Sequence, residues 1–264
     1  MQIYRLSSLL LACAAVAAAQ QMTVPLSNPS QPATIKVHLI SGSITVTAGG
    51  SGQVVVESAG RAARERTEAP PGMHRLDATS SGVDAQEDHN VVSIDSSHFQ
   101  SATNLTIQVP ANSSLQLHTI NGGHIEVTGV SGEIEAENMN GPVVLKNVSG
   151  SVVAASQNGA ITVSLDRITP NKPMSFTTLN GKIDVTIPGD TKARLRLKTE
   201  NGSVFSDFDV KMEPDTSKPI VEDARGQGGK YRIRMDKNVY GSINGGGPEF
   251  RFESMNGSIL IHKK

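Results

Sequence analysis

Four cationic residues occupy alternate positions in one stretch of the chain, and together they could present positive charge to an anionic ligand. They are Lys192, Arg194, Arg196 and Lys198, and small or aliphatic residues stand between them. Successive side chains of a strand point to opposite faces, so all four are expected to point the same way. Like charges on one strand face repel one another and do not stabilise a sheet. We interpret the row as a candidate surface for an anionic polymer or for the acidic part of a second copy; the alternative is an ordinary solvated face.

Carboxylates could support glycoside hydrolysis, which needs two carboxyl groups across a cleft. The candidates are Asp184, Asp207 and Asp209. Asp184 stands between two β-branched residues, which predicts a solvated outward position. Residues 115–165 contain no Phe, Tyr or Trp, although ligand pockets are commonly lined by aromatic side chains. The sequence therefore predicts no catalytic residue and a protein that is not an enzyme. A carbohydrate-active β-helix enzyme, either a lyase or a glycosidase, is the enzymatic alternative.

Histidines could bind a metal ion through a neutral imidazole. His118 and His124 flank Asn121, and His38 is expected to lie near them. No carboxylate stands at a spacing from these histidines that marks a metal site. We therefore predict corner or surface histidines, and neither a metal nor a cofactor.

The elements that position these residues belong to a repeated phrase. It usually reads apolar residue, Asn or Ser, Gly, any residue, Ile or Val, any residue, small or branched apolar residue. From Asn121 to Asn158, Asn-Gly and Ser-Gly corners alternate, and corners of the same kind recur every 18 or 19 residues. Asn-Gly between alternating apolar residues is also a hairpin signal, so an antiparallel meander is one interpretation. A meander gives no reason for the alternation of the two corners.

A solenoid explains the alternation better. Like corners of successive coils would lie about 4.8 Å apart, where asparagine side chains can hydrogen-bond in a ladder. We therefore predict an all-β chain folded as a single-stranded parallel β-helix, with glycine at the corners to supply positive φ. The residues expected to point inward are Ile125, Val127, Ile134, Val144, Ile161, Val163, Ile183 and Val185, and those expected to be exposed are Glu126, Glu135 and Asp184.

The first 19 residues have the pattern of a signal peptide. Arg5 supplies positive charge, residues 9–16 are apolar, and three alanines ending at Ala19 form a cleavage site. The apolar run is too short to span a bilayer. The only cysteine, Cys13, lies inside this segment; processing and lipid anchoring at Cys13 is the alternative to cleavage after Ala19. Cleavage after Ala19 would leave a chain without disulfides.

The remaining chain is predicted to form one domain. Residues 20–33 are rich in Gln, Ser and Pro and are interpreted as a linker, and residues 34–264 as the solenoid. Residues near 61–82 and 208–229 break the repeat and are expected to be insertions. The chain has 24 Lys and Arg against 25 Asp and Glu, so no overall field favours nucleic acid.

Three segments resemble the bacterial putative adhesin domain family. They are residues 104–110 (NLTIQVP), residues 115–122 (LQLHTING) and the terminal residues 253–259 (ESMNGSI), joined by the ordered series of corners. The resemblance covers roughly residue 34 to the end, apart from the two insertions. It implies a right-handed β-helix of exported and envelope proteins, and it brings no catalytic residues.

These observations predict an exported adhesin-like binding or scaffolding module of the cell envelope, without catalytic activity. A self-assembling structural protein is the other non-enzymatic alternative. The expected location is periplasmic, outer-envelope or extracellular, without a transmembrane span. The expected partners are an envelope polysaccharide, another protein or a second copy, and not nucleic acid.

Overall fold

The computed structural model describes residues 20–50, 52–60, 82–96, 102–214, 220–223, 231–234 and 238–264. The expected signal peptide, Cys13 and most of the two expected insertions lie outside these ranges.

The described residues form strands and no helix. The strands are β1 (Gln20–Pro25), β2 (Thr34–Ser41), β3 (Ile44–Ala48), β4 (Gln53–Gly60), β5 (Val83–Asp88), β6 (Val91–Ser96), β7 (Thr103–Val109), β8 (Ser114–Asn121), β9 (Ile125–Thr128), β10 (Ser131–Asn138), β11 (Val143–Asn158), β12 (Ile161–Ile168), β13 (Met174–Asn180), β14 (Ile183–Ile187), β15 (Ala193–Asn201), β16 (Val204–Ser206), β17 (Lys211–Glu213), β18 (Ile220–Asp223), β19 (Tyr231–Arg234), β20 (Val239–Ile243), β21 (Glu249–Asn256) and β22 (Ile259–Lys263).

Most strands stack into two layers, which we name sheet A and sheet B. Sheet A runs in the order β5, β6, β2, β8, β10, β11, β13, β21, β15, β20, β17. Sheet B runs in the order β1, β4, β7, β3, β9, β11, β12, β14, β22, β16. The middle pairs are parallel, and the end pairs are antiparallel except for β22–β16, which is parallel. Strand β11 belongs to both layers, because its first residues pair with β9 and its last residues pair with β13.

The solenoid-like stacking is confirmed, and the antiparallel meander is wrong. The strands on either side of Asn121-Gly122 do not pair with each other. Instead β8 pairs in parallel with β10, and β9 pairs in parallel with β11. From Asn121 to Asn158, each Asn-Gly corner therefore moves the chain from sheet A to sheet B, and each Ser-Gly corner returns it to sheet A. No helix in the described ranges has the length and apolar character to cross a membrane.

Alternating burial places the inward residues of both sheets in one continuous core. Strand β7 shows the pattern in full, with every second residue buried. Seven of the eight predicted inward residues are buried, but Val144 points outward. The error has a simple cause: the strand resumes three residues after Asn140, as it does after Asn158, so that Val143 stands opposite Ile161.

Two of the three residues expected to be exposed are partly covered. Glu135 is exposed, whereas Glu126 and Asp184 are of intermediate exposure. The Lys146 ammonium lies 2.6 Å from Glu126, and the Lys182 ammonium lies 3.0 Å from Asp184. Cationic side chains on the same surface therefore cover these carboxylates.

The linker prediction is wrong for the start of residues 20–33. Strand β1 pairs antiparallel with β4 over all six of its residues. Leu26 and Ala33 are buried in the core. Glu87 also accepts hydrogen bonds from the Ser27 amide (3.1 Å) and from the Asn90 amide (2.9 Å). The Asn90 bond, followed by the Ser27 bonds, lowers the pKa of Glu87 below its usual value. The segment is therefore part of the fold.

The last strands do not form the end of the stack. Strand β21 lies between β13 and β15, and β22 lies between β14 and β16, all in parallel register. The antiparallel strands β20 and β17 lie beyond β15 instead.

The corners of neighbouring coils form a column of asparagines. Asn158 donates from Nδ2 to Oδ1 of Asn140 at 3.0 Å, and Asn180 donates to Asn158 at 2.8 Å. Asn256 donates to Asn180 at 2.7 Å, and Asn201 donates to Asn256 at 2.8 Å. The predicted sharing of side-chain hydrogen bonds between stacked corners is confirmed.

A column of glycines runs beside the asparagines. These positions need glycine for a reason other than the predicted supply of positive φ. A Cβ on Gly159 would lie 2.2 Å from the carbonyl oxygen of Gly141, and one on Gly181 would lie 2.2 Å from that of Gly159. Gly159 and Gly181 do not have positive φ. The close approach of neighbouring backbones is therefore what requires glycine in the middle of this column.

Buried hydroxyl groups cap the same glycine carbonyls, a feature that the sequence analysis missed. Ser156 donates to the carbonyl of Gly141 at 3.0 Å, and Thr178 donates to that of Gly159 at 2.9 Å. Each hydroxyl residue stands two positions before a corner asparagine and is buried. A buried polar group needs such a partner, so these bonds help to fix which coil lies on which.

Candidate functional site

The outer surface of sheet A is the candidate functional site. Parallel register aligns outward side chains of neighbouring strands in straight rows. One row contains Glu137 of β10, Ala155 of β11, Thr177 of β13, Glu253 of β21 and Lys198 of β15. Strands β10 and β15 are four strand spacings apart, which is about 19 Å. Residues far apart in the sequence therefore meet on one flat surface.

The four predicted cationic residues lie together at one side of this surface. Lys192 directly precedes β15 and is exposed, as is Arg194; Arg196 is of intermediate exposure. The side chain of Lys198 is only 18% exposed. The structure adds Arg251 of β21, which stands directly opposite Arg196. We name the five residues the basic strip: Lys192, Arg194, Arg196, Lys198 and Arg251.

Carboxylates from other strands contact part of the basic strip. Arg194 Nε lies 3.6 Å from Glu213 of β17, and Lys198 Nζ lies 3.7 Å from Glu253 of β21. Arg251 Nε donates to Glu253 at 3.0 Å. Such surface pairs contribute about 0–1 kcal/mol each and are weakened by salt. The predicted row is therefore a mixed patch rather than a run of unpaired charges.

The outward face of β10, four strand spacings from β15, is acidic. Glu133, Glu135 and Glu137 alternate along β10 and are all exposed. Lys172 Nζ lies 2.7 Å from Glu133, and His118 Nδ1 lies 3.3 Å from Glu137. Between this acidic strip and the basic strip, the outward residues of β11 and β13 carry no charge. Sheet A therefore carries an acidic strip on β10 and the basic strip on β15 and β21, with the uncharged outward faces of β11 and β13 between them.

An apolar groove lies between the two strips, next to the corners. It has a volume of about 450 Å³; its apolar lining includes Met139, Leu179 and Met255, and its rim carries the charged residues Glu137, Lys198, Glu200 and Glu253. The three apolar side chains are exposed. Exposed apolar groups that gather on one surface commonly mark an interaction site. The sequence carried a signal for them, because each is the apolar residue that opens a repeat phrase.

The histidines lie beside the acidic strip. The rings of His38 and His118 are 5.0 Å apart in an edge-to-face arrangement, as expected from their stacked coils. His124 lies in the corner after Asn121 and is of intermediate exposure. Among the described residues, no group of three or more His, Cys, Asp or Glu is placed to hold a metal ion.

The carboxylates considered for catalysis lie outside the groove. Asp184 and Asp207 both contact His262, whose Nε2 lies 3.5 Å from Asp184 and whose Nδ1 lies 3.0 Å from Asp207. The His262 bond, followed by one from the Lys263 amide, lowers the pKa of Asp207 below its usual value. Asp209 is exposed. The two partnered aspartates therefore face an imidazole rather than each other across an open cleft.

Comparisons with known proteins identify the family of the chain. A putative cell adhesion protein from Clostridium sporogenes ATCC 15579 matches with a TM-score of 0.46 and 10% identity, over 94% of this chain and 100% of the other. A putative adhesin from Bacteroides fragilis NCTC 9343 matches with a TM-score of 0.31 and 10% identity, over 94% of this chain and 98% of the other. No curated protein matches. The family model described as Toastrack DUF4097 matches residues 20–238, so the chain belongs to the Toastrack DUF4097 family.

Proposed function

We propose that the protein is an exported, non-catalytic binding module of the bacterial cell envelope. Its solenoid winds as a right-handed parallel β-helix and presents the outer surface of sheet A to an anionic envelope polymer. The basic strip contacts the anionic groups of the polymer, and the apolar groove beside it contacts less polar parts. Cleavage after Ala19 releases the chain into the periplasm, the outer envelope or the medium.

The observation that carries this proposal is the pairing of Arg196 with Arg251. The two residues stand directly opposite each other on neighbouring strands. Like charges in that position repel each other, and Glu253, the carboxylate beside Arg251, is shared with Lys198. An anionic group bound between the two guanidinium groups would remove the repulsion and accept charge-assisted hydrogen bonds from both.

The surrounding charges define where a polyanion can lie. Lys192 extends the positive charge beyond the start of β15, and Lys198 brings it to the groove. Glu133, Glu135 and Glu137 would repel a polyanion from β10. The polymer is therefore expected to follow β15 and β21 instead of crossing the whole surface.

The enzymatic alternative has less support from the described site. Glu253 of the groove contacts Lys198 and Arg251, and the partnered aspartates lie elsewhere. The groove is also lined by Glu137 and Glu200, and His118 contacts Glu137. Two of its three carboxylates are therefore held by cationic or imidazole side chains, whereas glycoside hydrolysis needs one carboxyl group to act on each side of the scissile bond. These contacts support binding, and they favour no reaction in particular.

A double charge reversal tests the proposal. Arg194→Glu combined with Arg196→Glu is expected to abolish the binding of polygalacturonate, an anionic polysaccharide, in a pull-down at low salt. Binding to the unaltered protein should weaken steeply with added salt, because exposed charges are screened beyond about 10 Å at roughly 0.1 M. The melting temperature should barely change, since surface substitutions usually alter stability by about 0.5 kcal/mol or less.

The matched control reverses two charges on the acidic strip of the same sheet. Glu133→Lys combined with Glu135→Lys should retain or strengthen the binding of polygalacturonate. If the unaltered protein binds no anionic polymer, or if the arginine reversal leaves binding intact, the basic strip is only a solvated surface and the proposed function is wrong.

A further inference from the structure

The position of the C-terminal strands in the stack points to a way in which two copies could join. Strands β21 and β22 follow the other described strands in the sequence, yet they fill a place between coils that precede them. We name the place between β13–β14 and β15–β16 the slot. The slot can be filled only after its two walls are separated or before they have closed.

Residues 249–264, which we name the terminal segment, contact both walls of the slot. The contacts are of the same kinds as those that join the other coils. Asn256 hydrogen-bonds Asn180 of one wall and Asn201 of the other. Ser254 donates to the Gly181 carbonyl at 3.1 Å, and Phe252 stacks on Phe176 with ring centroids 5.0 Å apart. These contacts require only a strand of this sequence in this register. They do not require that the strand belong to the same chain.

The connection into the terminal segment has the properties of a hinge. Strand β20 lies on one side of β15 and β21 lies on the other, so residues 244–248 must pass across β15. Three consecutive residues there have positive φ: Asn244 at 50°, Gly245 at 89° and Gly246 at 83°. The crossing spans two strand spacings, about 9.6 Å. Five residues reach much further than this when extended, at about 3.3 Å each, so the same hinge can open and carry the segment away.

We propose that residues 249–264 are an exchangeable element, and that the slot of one copy accepts this element from a second copy. Reciprocal exchange gives a twofold dimer in which each slot is filled by the partner's strands. Every contact of the slot is kept, and only the hinge changes, which is why exchange of an identical element is a low-cost route to a dimer. The binding mode is strand addition, in which main-chain hydrogen bonds hold an incoming strand between its neighbours. This inference is independent of the basic strip.

Cysteine cross-linking between two variants tests the exchange. Leu179 of β13 and Met255 of β21 are exposed and lie across from each other, because the residues on either side of them are paired. Neighbouring strands are about 4.8 Å apart, within the range that a disulfide can bridge. Both variants are made in the full chain with Cys13→Ser, so that each contains one cysteine. One variant carries Leu179→Cys and the other carries Met255→Cys. After the two are unfolded, mixed, refolded and oxidised, a disulfide-linked dimer containing both variants is expected.

The control uses a pair of strands that both stay in place during the exchange. Gln157 of β11 lies across from Leu179 on the other side of β13. A mixture of Gln157→Cys and Leu179→Cys should give only the background of random cross-links, several-fold below the exchange pair. Equal yields in the two mixtures would overturn the proposal, as would the absence of a mixed dimer. The double variant Leu179→Cys with Met255→Cys should form the disulfide within one chain and confirms that the two positions can react.

Shortening the hinge gives a second, independent result. Deletion of Gly245 and Gly246 leaves three residues, which reach about 9.9 Å when fully extended. This barely spans the crossing of about 9.6 Å and leaves no slack for the path around β15, and strained short hinges favour exchange. Light scattering should then show a dimer where the unaltered protein is mainly monomeric. A folded monomer of the shortened chain would contradict the proposed role of the hinge. Neither outcome depends on the binding of an anionic polymer.

Discussion

Valine in place of Gly159 is expected to produce one of the two largest losses of stability in this protein. Its Cβ would lie 2.2 Å from the Gly141 carbonyl oxygen and 2.8 Å from the Pro142 nitrogen of the neighbouring coil. These atoms are backbone, so no side chain can rotate away. Overpacking usually costs about 1–3 kcal/mol and occasionally more, and we expect a loss of about 3 kcal/mol or more in a denaturant titration.

Gly49→Val is the matched control. Gly49 is exposed, has no positive φ, and would place its Cβ in open space. The same substitution should therefore change the free energy of unfolding by about 0.5 kcal/mol or less. Similar losses for the two variants would show that the coils do not approach each other at the glycine column.

Phe252→Ala is expected to be the other strongly destabilising change. Phe252 is fully buried and stacks on Phe176 in the core beneath sheet A. Truncation of a buried phenylalanine costs about 3–5 kcal/mol, because transfer free energy is lost and a cavity remains. Thermal or urea unfolding should show this loss. The effect should be especially large because Phe252 fixes the inserted strand β21 between two coils.

Phe205→Ala serves as its control, since Phe205 is 59% exposed on β16. Its truncation should alter stability by about 0.5 kcal/mol or less. A loss for Phe252→Ala no greater than that for Phe205→Ala would mean that β21 does not occupy the core position between β13 and β15.

The solenoid could be predicted from the sequence because its corners recur at nearly constant spacing. The spacing of Asn121, Asn140 and Asn158 required like corners to stack, and the asparagine column follows from that. The order of the coils could not be predicted in the same way. Each coil carries the same phrase, so the side chain of Asn180 could stack on Asn201 as well as on Asn256. The local sequence pattern does not decide which of the two coils lies next to it.

The site was predictable in part for a related reason. Alternation along β15 shows that Arg194 and Arg196 share a face, because strand period is a local property. Their partners come from other strands: Glu213 from β17, and Arg251 from the inserted β21. Such neighbours are set by the stacking order, which the sequence left open. The role of Gly159 was misjudged for the same reason, since backbone approach between coils is not a local property.

Mapping the bound polymer by NMR tests the proposed function most directly. Isotope-labelled protein would be titrated with polygalacturonate, and the amide shifts of each strand followed. We predict shifts at Arg194, Arg196 and Arg251 that disappear with added salt, and none along the acidic strip of β10. Shifts confined to sheet B, or no shift at low salt, would contradict the proposal that the outer surface of sheet A binds anionic polymers.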